Sequence, residues 1–333
     1  MTHTIRDEFR AMNTDIEVTL LCEQPSMAEP TRMIIREWFH SIEQRFSRFN
    51  DDSELSKLNG AHGLPVAVSS VMLEVLGHAM EYRRLTHGIY NPCILNALER
   101  SGYSASFEHI GETADRLNST SGTIHRAPTG VSTDTVRQRW KTYPLLRLAR
   151  LTRGTRIDLG GVVKGWAVDR IAAMLRSSGC SSGHVNAGGD LRVWGWGQDD
   201  LPNWQIDIDS PWSSDEENGK AILASAIIGN GSAATSGTTR RRWTSSSGTM
   251  HHLIDPRTDM PANSDVLQCT VVGASAVDAE IVAKTICILG SADGETWVKQ
   301  AFPEYDVCVA LNNRTTTIWR GRGSSVRWEE KRS

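Results

Sequence analysis

Chemistry concentrates in the run Asp158-Leu-Gly-Gly-Val-Val-Lys-Gly-Trp-Ala-Val-Asp169. Two glycines ahead of a helical apolar pattern let main-chain N–H groups approach a ligand without a Cβ in the way. The helix start adds unsatisfied donors and partial positive charge, which suits phosphate, and Lys164 on its first turn adds a full charge. The same residues also make an ordinary glycine turn with a solvated lysine. The spacing is not that of a Walker A loop, G-x-x-x-x-G-K-[ST]. A second run, Ala234-Thr-Ser-Gly-Thr-Thr-Arg-Arg-Arg-Trp243, reads as a Ser236-Gly237 turn beside three arginines, suited to an anion. It is followed by His251-His-Leu-Ile-Asp-Pro-Arg-Thr258. His252 suits acid–base work near neutrality, since the reference pKa of imidazole is about 6.5. Taken one at a time, the arginines read more simply as solvated and the histidine as packed.

The elements that must hold these groups follow from periodicity. Thr14 to Leu21 alternates and predicts a strand. From Pro30, the positions Ile35, Trp38, Ile42, Phe46 and Phe49 recur at helical spacing. Ser53 to Leu58 is a short amphipathic turn, and a second helix starts at Ser69 or Ser70, passes Met80 and stops by Gly88. Residues 101–155 predict hairpins and loops. Ile157-Asp-Leu159 reads as a strand feeding Gly160-Gly161, and the next helix carries Val163, Ala167, Ile171 and Leu175 on one face. His184 to Trp194 is a strand broken by two glycines, where a backbone or ligand comes close. Further strands are predicted over Trp204–Ile208, Ala221–Ile228 and Cys269–Gly273, an acidic solvated loop over 213–220, and a helix from Glu280 to Leu289 ending at Gly290. Strands outnumber crossover helices and connections are short, so the class is α+β with antiparallel sheets.

Composition excludes several functions. The chain has 333 residues, 39% hydrophobic and 23% charged, a globular balance. Lys+Arg of 36 against Asp+Glu of 39 gives a net charge of -3, without the basic stripe that nucleic-acid binding needs. No window is apolar enough to span a membrane. The six cysteines stand singly with no CxxC pair, a pattern of free thiols in a reducing compartment. With the polar start Met1 to Arg10, the expected location is the cytoplasm.

Read together and in order, the segments resemble the ApbE-type FAD:protein FMN transferases. The resemblance begins at Ala11-Met-Asn-Thr14 and continues at Phe46-Ser-Arg-Phe-Asn-Asp-Asp-Ser-Glu-Leu-Ser-Lys-Leu-Asn59 and Gly88-Ile-Tyr-Asn-Pro92. It takes in Asp158 to Asp169, Val185-Asn-Ala-Gly-Gly-Asp190, Ala234-Thr-Ser-Gly237 and His252-Leu-Ile-Asp-Pro-Arg-Thr258, and closes at Ala279 to Gly290. It implies a single domain over residues 5–325, with antiparallel sheets and flanking helices in two interleaved lobes and the FAD site between them. It implies cleavage of FAD, attachment of FMN through a phosphoester to a Thr or Ser of an acceptor flavoprotein, and release of AMP. Neither nucleic acid nor membrane insertion belongs to this reading. Met12 and Phe49 fall where the family contacts flavin or adenine, Ile89, Tyr90 and Asn91 on a segment lining the nucleotide, and Asp158 and Lys164 on further FAD contacts. His252 falls beside the reacting end, Ile254 on a flavin-lining position, and Gly161 where a main-chain carbonyl meets Mg²⁺.

The sequence also departs from the family pattern. The family holds Mg²⁺ with an Asp and a Thr four residues apart on one helix face, and the matching positions are Glu280 and Lys284. Glu280 still offers oxygen ligands, so the resemblance implies Mg²⁺ on Gly161 and Glu280, but a protonated lysine at the Thr position has only donors. Lys284 is therefore expected to replace the metal in part, meeting pyrophosphate or Glu280 directly. The alternative is a surface ion pair contributing about 0.3–0.5 kcal/mol. Asn91 stands where the family commonly has Asp, and Asp259 where it usually has Gly, which matters only at positive φ. Two other functions share these features: an FAD pyrophosphatase yielding FMN and AMP, and a non-catalytic flavin-binding protein.

Overall fold

Ile5, Asp7 and Ala11 point inward from alternate positions of a strand, His3–Ala11, that the sequence did not announce. Its inward row holds a carboxylate, which Arg36 satisfies through Nε to Asp7 Oδ2 at 2.9 Å. The computed structural model describes residues 3–22, 27–103, 139–197, 203–212, 221–245 and 248–330. The predicted hairpins over 104–138 and the acidic loop over 213–220 lie outside the described residues.

The chain forms two compact units from interleaved segments. The first comprises Met1–Gln44, Gly160–Gly237 and Ser264–Ser333. Among its described residues, the main sheet has eight strands in the order His3–Ala11, Thr14–Cys22, Cys180–Ala187, Asp190–Trp194, Gly231–Gly237, Val266–Gly273, Asp306–Leu311 and Thr316–Trp319. Every neighbouring pair is antiparallel, so the α+β class read from the sequence holds. Cys180–Ala187 and Asp190–Trp194 are joined through Gly188 and Gly189, both at positive φ. A Cβ on Gly188 would also lie 1.9 Å from Thr14 Oγ1, which gives the close approach expected at this glycine pair.

Two helices, Val163–Ser177 and Ala276–Leu289, pack on this sheet and on each other. The second buries nearly its whole circumference, as apolar residues on every face require. Asp169 fixes its start: the carboxylate accepts from Ser275 Oγ at 2.9 Å, Ala276 N at 3.0 Å and Val277 N at 3.1 Å. Burial raises the Asp169 pKa despite those bonds. Gly165 permits the crossing, since a Cβ there would sit 2.7 Å from Ala276 O and Val277 Cα.

The second unit comprises Arg45–Leu159 and Thr238–Asn263. Its helices include Ser70–Leu85 and, where only a short turn was expected, Glu54–Asn59; the side chains of Ser69 and Ser53 cap them. Ala97, Leu98, Tyr103, Trp243, Met250 and Ile254 form one of its apolar clusters.

Three expectations are corrected. Ile157-Asp-Leu159 is not a strand. The Asn59 side chain takes both the N–H and the C=O of Ile157, at 2.8 and 2.9 Å, and Asp158 N donates to Pro92 O at 2.8 Å. Phe49 lies beyond the first helix, Ala28–Phe46, and is exposed. Ser236-Gly237 is not an anion-holding turn: it ends the strand Gly231–Gly237, with Ser236 opposite Cys269 and buried.

Candidate active site

In the first unit the two helices and the start of the strand Asp190–Trp194 bring four charged residues together. Lys164 lies on the first turn of Val163–Ser177, and Glu280 and Lys284 lie one turn apart on Ala276–Leu289. Lys164 Nζ is 2.9 Å and Lys284 Nζ 2.8 Å from the same oxygen, Glu280 Oε1. Glu280 Oε2 accepts the main-chain N–H of Gly165 at 2.9 Å. Lys164 also donates to Asp190, just after the Gly188-Gly189 turn. Side-chain exposure is 0% for Glu280, 3% for Asp190, 13% for Lys164 and 16% for Lys284. The Glu280–Lys284 pair is therefore not the surface ion pair of the alternative reading.

Burial pushes the Glu280 carboxyl up, but the Lys164 and Lys284 ammonium groups outweigh it and bring its pKa down to about 2. Burial raises Asp190 against the opposing pull of Lys164. Asp190 was not singled out from the sequence, although it closes the quoted Val185 to Asp190 block. Gly161 lies in the turn before the Val163–Ser177 helix, and Met12 in the hairpin between the first two strands at φ 54°. A methionine in the left-handed region is strained by about 1–2 kcal/mol.

In the second unit, Asp158 and Phe49 meet through a residue that the sequence reading passed over. Arg48 Nε lies 2.9 Å from Asp158 Oδ2, and an Arg48 terminal nitrogen donates to Tyr103 O at 2.8 Å. Its guanidinium carbon stands 4.1 Å from the Phe49 ring centroid and 4.6 Å from that of Tyr103. The signal was present in Phe46-Ser-Arg-Phe49. Tyr90 is buried and Ile89 half-buried. Asn91 Oδ1 accepts from Cys93 N at 3.1 Å, a cap that an amide provides as well as a carboxylate would.

The adjacent histidines differ in their surroundings. His251 Nε2 lies 2.9 Å from Ala262 O and its Nδ1 accepts from Leu253 N at 3.3 Å, which fixes a neutral ring with the proton on Nε2. Burial lowers its pKa as well. His252 is half-buried. Ile254 packs in the apolar cluster described above. Asp259 takes φ 57°, the left-handed geometry of the usual glycine, and pairs with Arg100 at 3.2 Å.

The ApbE family profile matches residues 12–309. The chain belongs to the ApbE family. An FAD:protein FMN transferase of Vibrio cholerae is 28% identical to it over 276 residues, 82% of this chain and 78% of that protein. The ApbE protein of Thermotoga maritima has the same fold at 22% identity, with a TM-score of 0.76 covering 97% of this chain and 98% of that one. The flavin transferase ApbE of Vibrio cholerae matches at 23% identity and a TM-score of 0.73, covering 96% and 98%.

The donor set of this ApbE chain does not fit magnesium. Mg²⁺ demands near-octahedral oxygen ligands at about 2.0–2.1 Å. Both Glu280 oxygens already accept from N–H donors, and Lys284 offers only donors of its own. Among the described residues, no three His, Cys, Asp or Glu side chains converge as a metal site would require.

Proposed function

We propose that this chain is an FAD:protein FMN transferase, acting on a Thr or Ser of an acceptor flavoprotein. The observation that carries the reading is the pair of ammonium groups, Lys164 and Lys284, on the buried Glu280 of an ApbE-family chain. The acceptor hydroxyl oxygen attacks the FMN phosphorus, the pyrophosphate P–O bond breaks, and AMP leaves with the electron pair. Negative charge grows on the departing phosphate, where fixed positive charge lowers the barrier. His252 takes the hydroxyl proton. Met12, Phe49, Ile89, Tyr90, Asn91, Asp158 and Ile254 bind the flavin nucleotide together with Lys164, and Arg48 orients Phe49 and Asp158. No step runs through magnesium.

Residues 5–325 act as one functional unit in this reading. Six cysteines without a CxxC pair in the sequence support a reducing compartment, the cytoplasm. Among the described residues, no helix is long and apolar enough to cross a membrane. The net charge of -3 argues against a nucleic-acid partner.

The test is incubation with FAD and a flavoprotein domain carrying a Thr or Ser target. A fluorescent protein band in a denaturing gel, with AMP released in step, is expected. AMP released equally without acceptor would make the protein a pyrophosphatase, and tight yellow binding with neither product would make it a carrier. Lys164→Ala should weaken FAD binding; unchanged affinity would remove Lys164 from the nucleotide site.

A further inference from the structure

We infer that Lys284 is the resident cation of this site: its ammonium, seated on Glu280, stands in place of a divalent metal, and neither Mg²⁺ nor Mn²⁺ binds there. The inference rests on the transferase reading for what the charge acts upon, a pyrophosphate. The exclusion of metal rests on the cluster itself.

Charge balance comes first. Lys164 and Lys284 set two ammonium groups against the two carboxyl groups of Asp190 and Glu280, and the four are joined by direct contacts. A carboxylate pair with no partners attracts a dication, whereas one already neutralised offers little net attraction. Donor directions lead to the same result. Glu280 Oε1 faces two ammonium nitrogens at 2.9 and 2.8 Å, so an entering cation would meet like charge at close range. Glu280 Oε2 is held by Gly165 N, and the tight helix crossing at Gly165 leaves that bond no room to slide.

The substitution also keeps the charge that the reaction needs. A single ammonium is a weaker point charge than Mg²⁺, but here two share one carboxylate oxygen. Among the described residues the Lys284 ammonium gives one hydrogen bond, to Glu280 Oε1, of the three it can donate. Its side chain keeps 16% exposure on a helix otherwise almost wholly buried, so it can meet an anion without unfolding its surroundings.

The experiment titrates Mn²⁺ into the protein without FAD and follows the free-ion signal by electron paramagnetic resonance. The wild type is expected to bind no stoichiometric Mn²⁺. Lys284→Thr, with an oxygen donor and no charge, is expected to gain one site at least about tenfold tighter, and the gain should vanish in Lys284→Thr/Glu280→Gln. A wild type that binds one Mn²⁺, lost in Glu280→Gln, would overturn the inference, and this pair of proteins decides the matter if Lys284→Thr fails to fold. In a second arm, wild-type AMP release from FAD in the presence of the acceptor flavoprotein should persist in EDTA; its loss would also overturn the inference. Absence of AMP release under every condition would instead count against the transferase reading, while the Mn²⁺ titration would still decide the identity of the cation.

Discussion

The carboxylate of Glu280 accepts the main-chain N–H of Gly165 across a helix crossing, at 2.9 Å, while its other oxygen holds two lysines. One residue thereby ties the first turn of one helix to the middle of another and sets where the positive charge stands. Gly165→Ala should break this arrangement, because its Cβ would lie 2.7 Å from main-chain atoms of Ala276 and Val277. We expect a loss of about 1–3 kcal/mol, measured by urea unfolding, together with weaker FAD binding. An unchanged midpoint would mean that the helices can part at no cost.

The depressed pKa of Glu280, about 2 against an ordinary 4.5, makes a signed prediction about acid. The ionised carboxylate stabilises the fold fully above its ordinary pKa, and that contribution is lost as pH falls through its folded value. Glu280→Gln leaves two lysines without their shared partner and should cost about 3–5 kcal/mol near neutrality. Unfolding curves of the two proteins should converge as pH falls from about 4.5 toward about 2. A gap independent of pH would show that the charge of Glu280 is not what stabilises the crossing.

Arg48 makes three kinds of contact at once: an ion pair with Asp158, a hydrogen bond to Tyr103 O, and stacking on Phe49 and Tyr103. A lysine keeps the charge but loses the planar face and the fork of donors. Arg48→Lys should therefore lower stability by about 1–2 kcal/mol and weaken flavin affinity, read by thermal melting and by quenching of flavin fluorescence. Equal affinity in both proteins would mean that the stack does not shape the nucleotide site.

Neighbouring histidines give a contrast. His251→Ala leaves Ala262 O and Leu253 N without their ring partner and should destabilise by about 1–3 kcal/mol. His252→Ala should still fold and slow FMN transfer by about 10²–10⁴-fold, the usual contribution of a general base. A reversal of these two phenotypes would move the acid–base role to His251.

The sequence determined the local structure wherever neighbours along the chain decide it. The helix start by Ser69 or Ser70, the helix stop at Gly290 and the alternation from Thr14 to Leu21 are all short-range effects, and each appears where it was read. The order of the motifs carried the family, and the i,i+4 spacing carried the Glu280–Lys284 pair. Long-range competition for backbone hydrogen bonds decided the rest. Ile157–Leu159 has a strand-like pattern, but the side chain of Asn59, far off in sequence, takes the bonds that a neighbouring strand would have made. Ser236-Gly237 looks like a turn locally, but pairing with Cys269 and Gln268 keeps it extended. Asp7 masked the first strand because its partner, Arg36, lies on a later helix. Only the fold could place Lys164 and Asp190 against Glu280, or Arg48 against Asp158, because a charge becomes buried and paired through packing that no local spacing specifies.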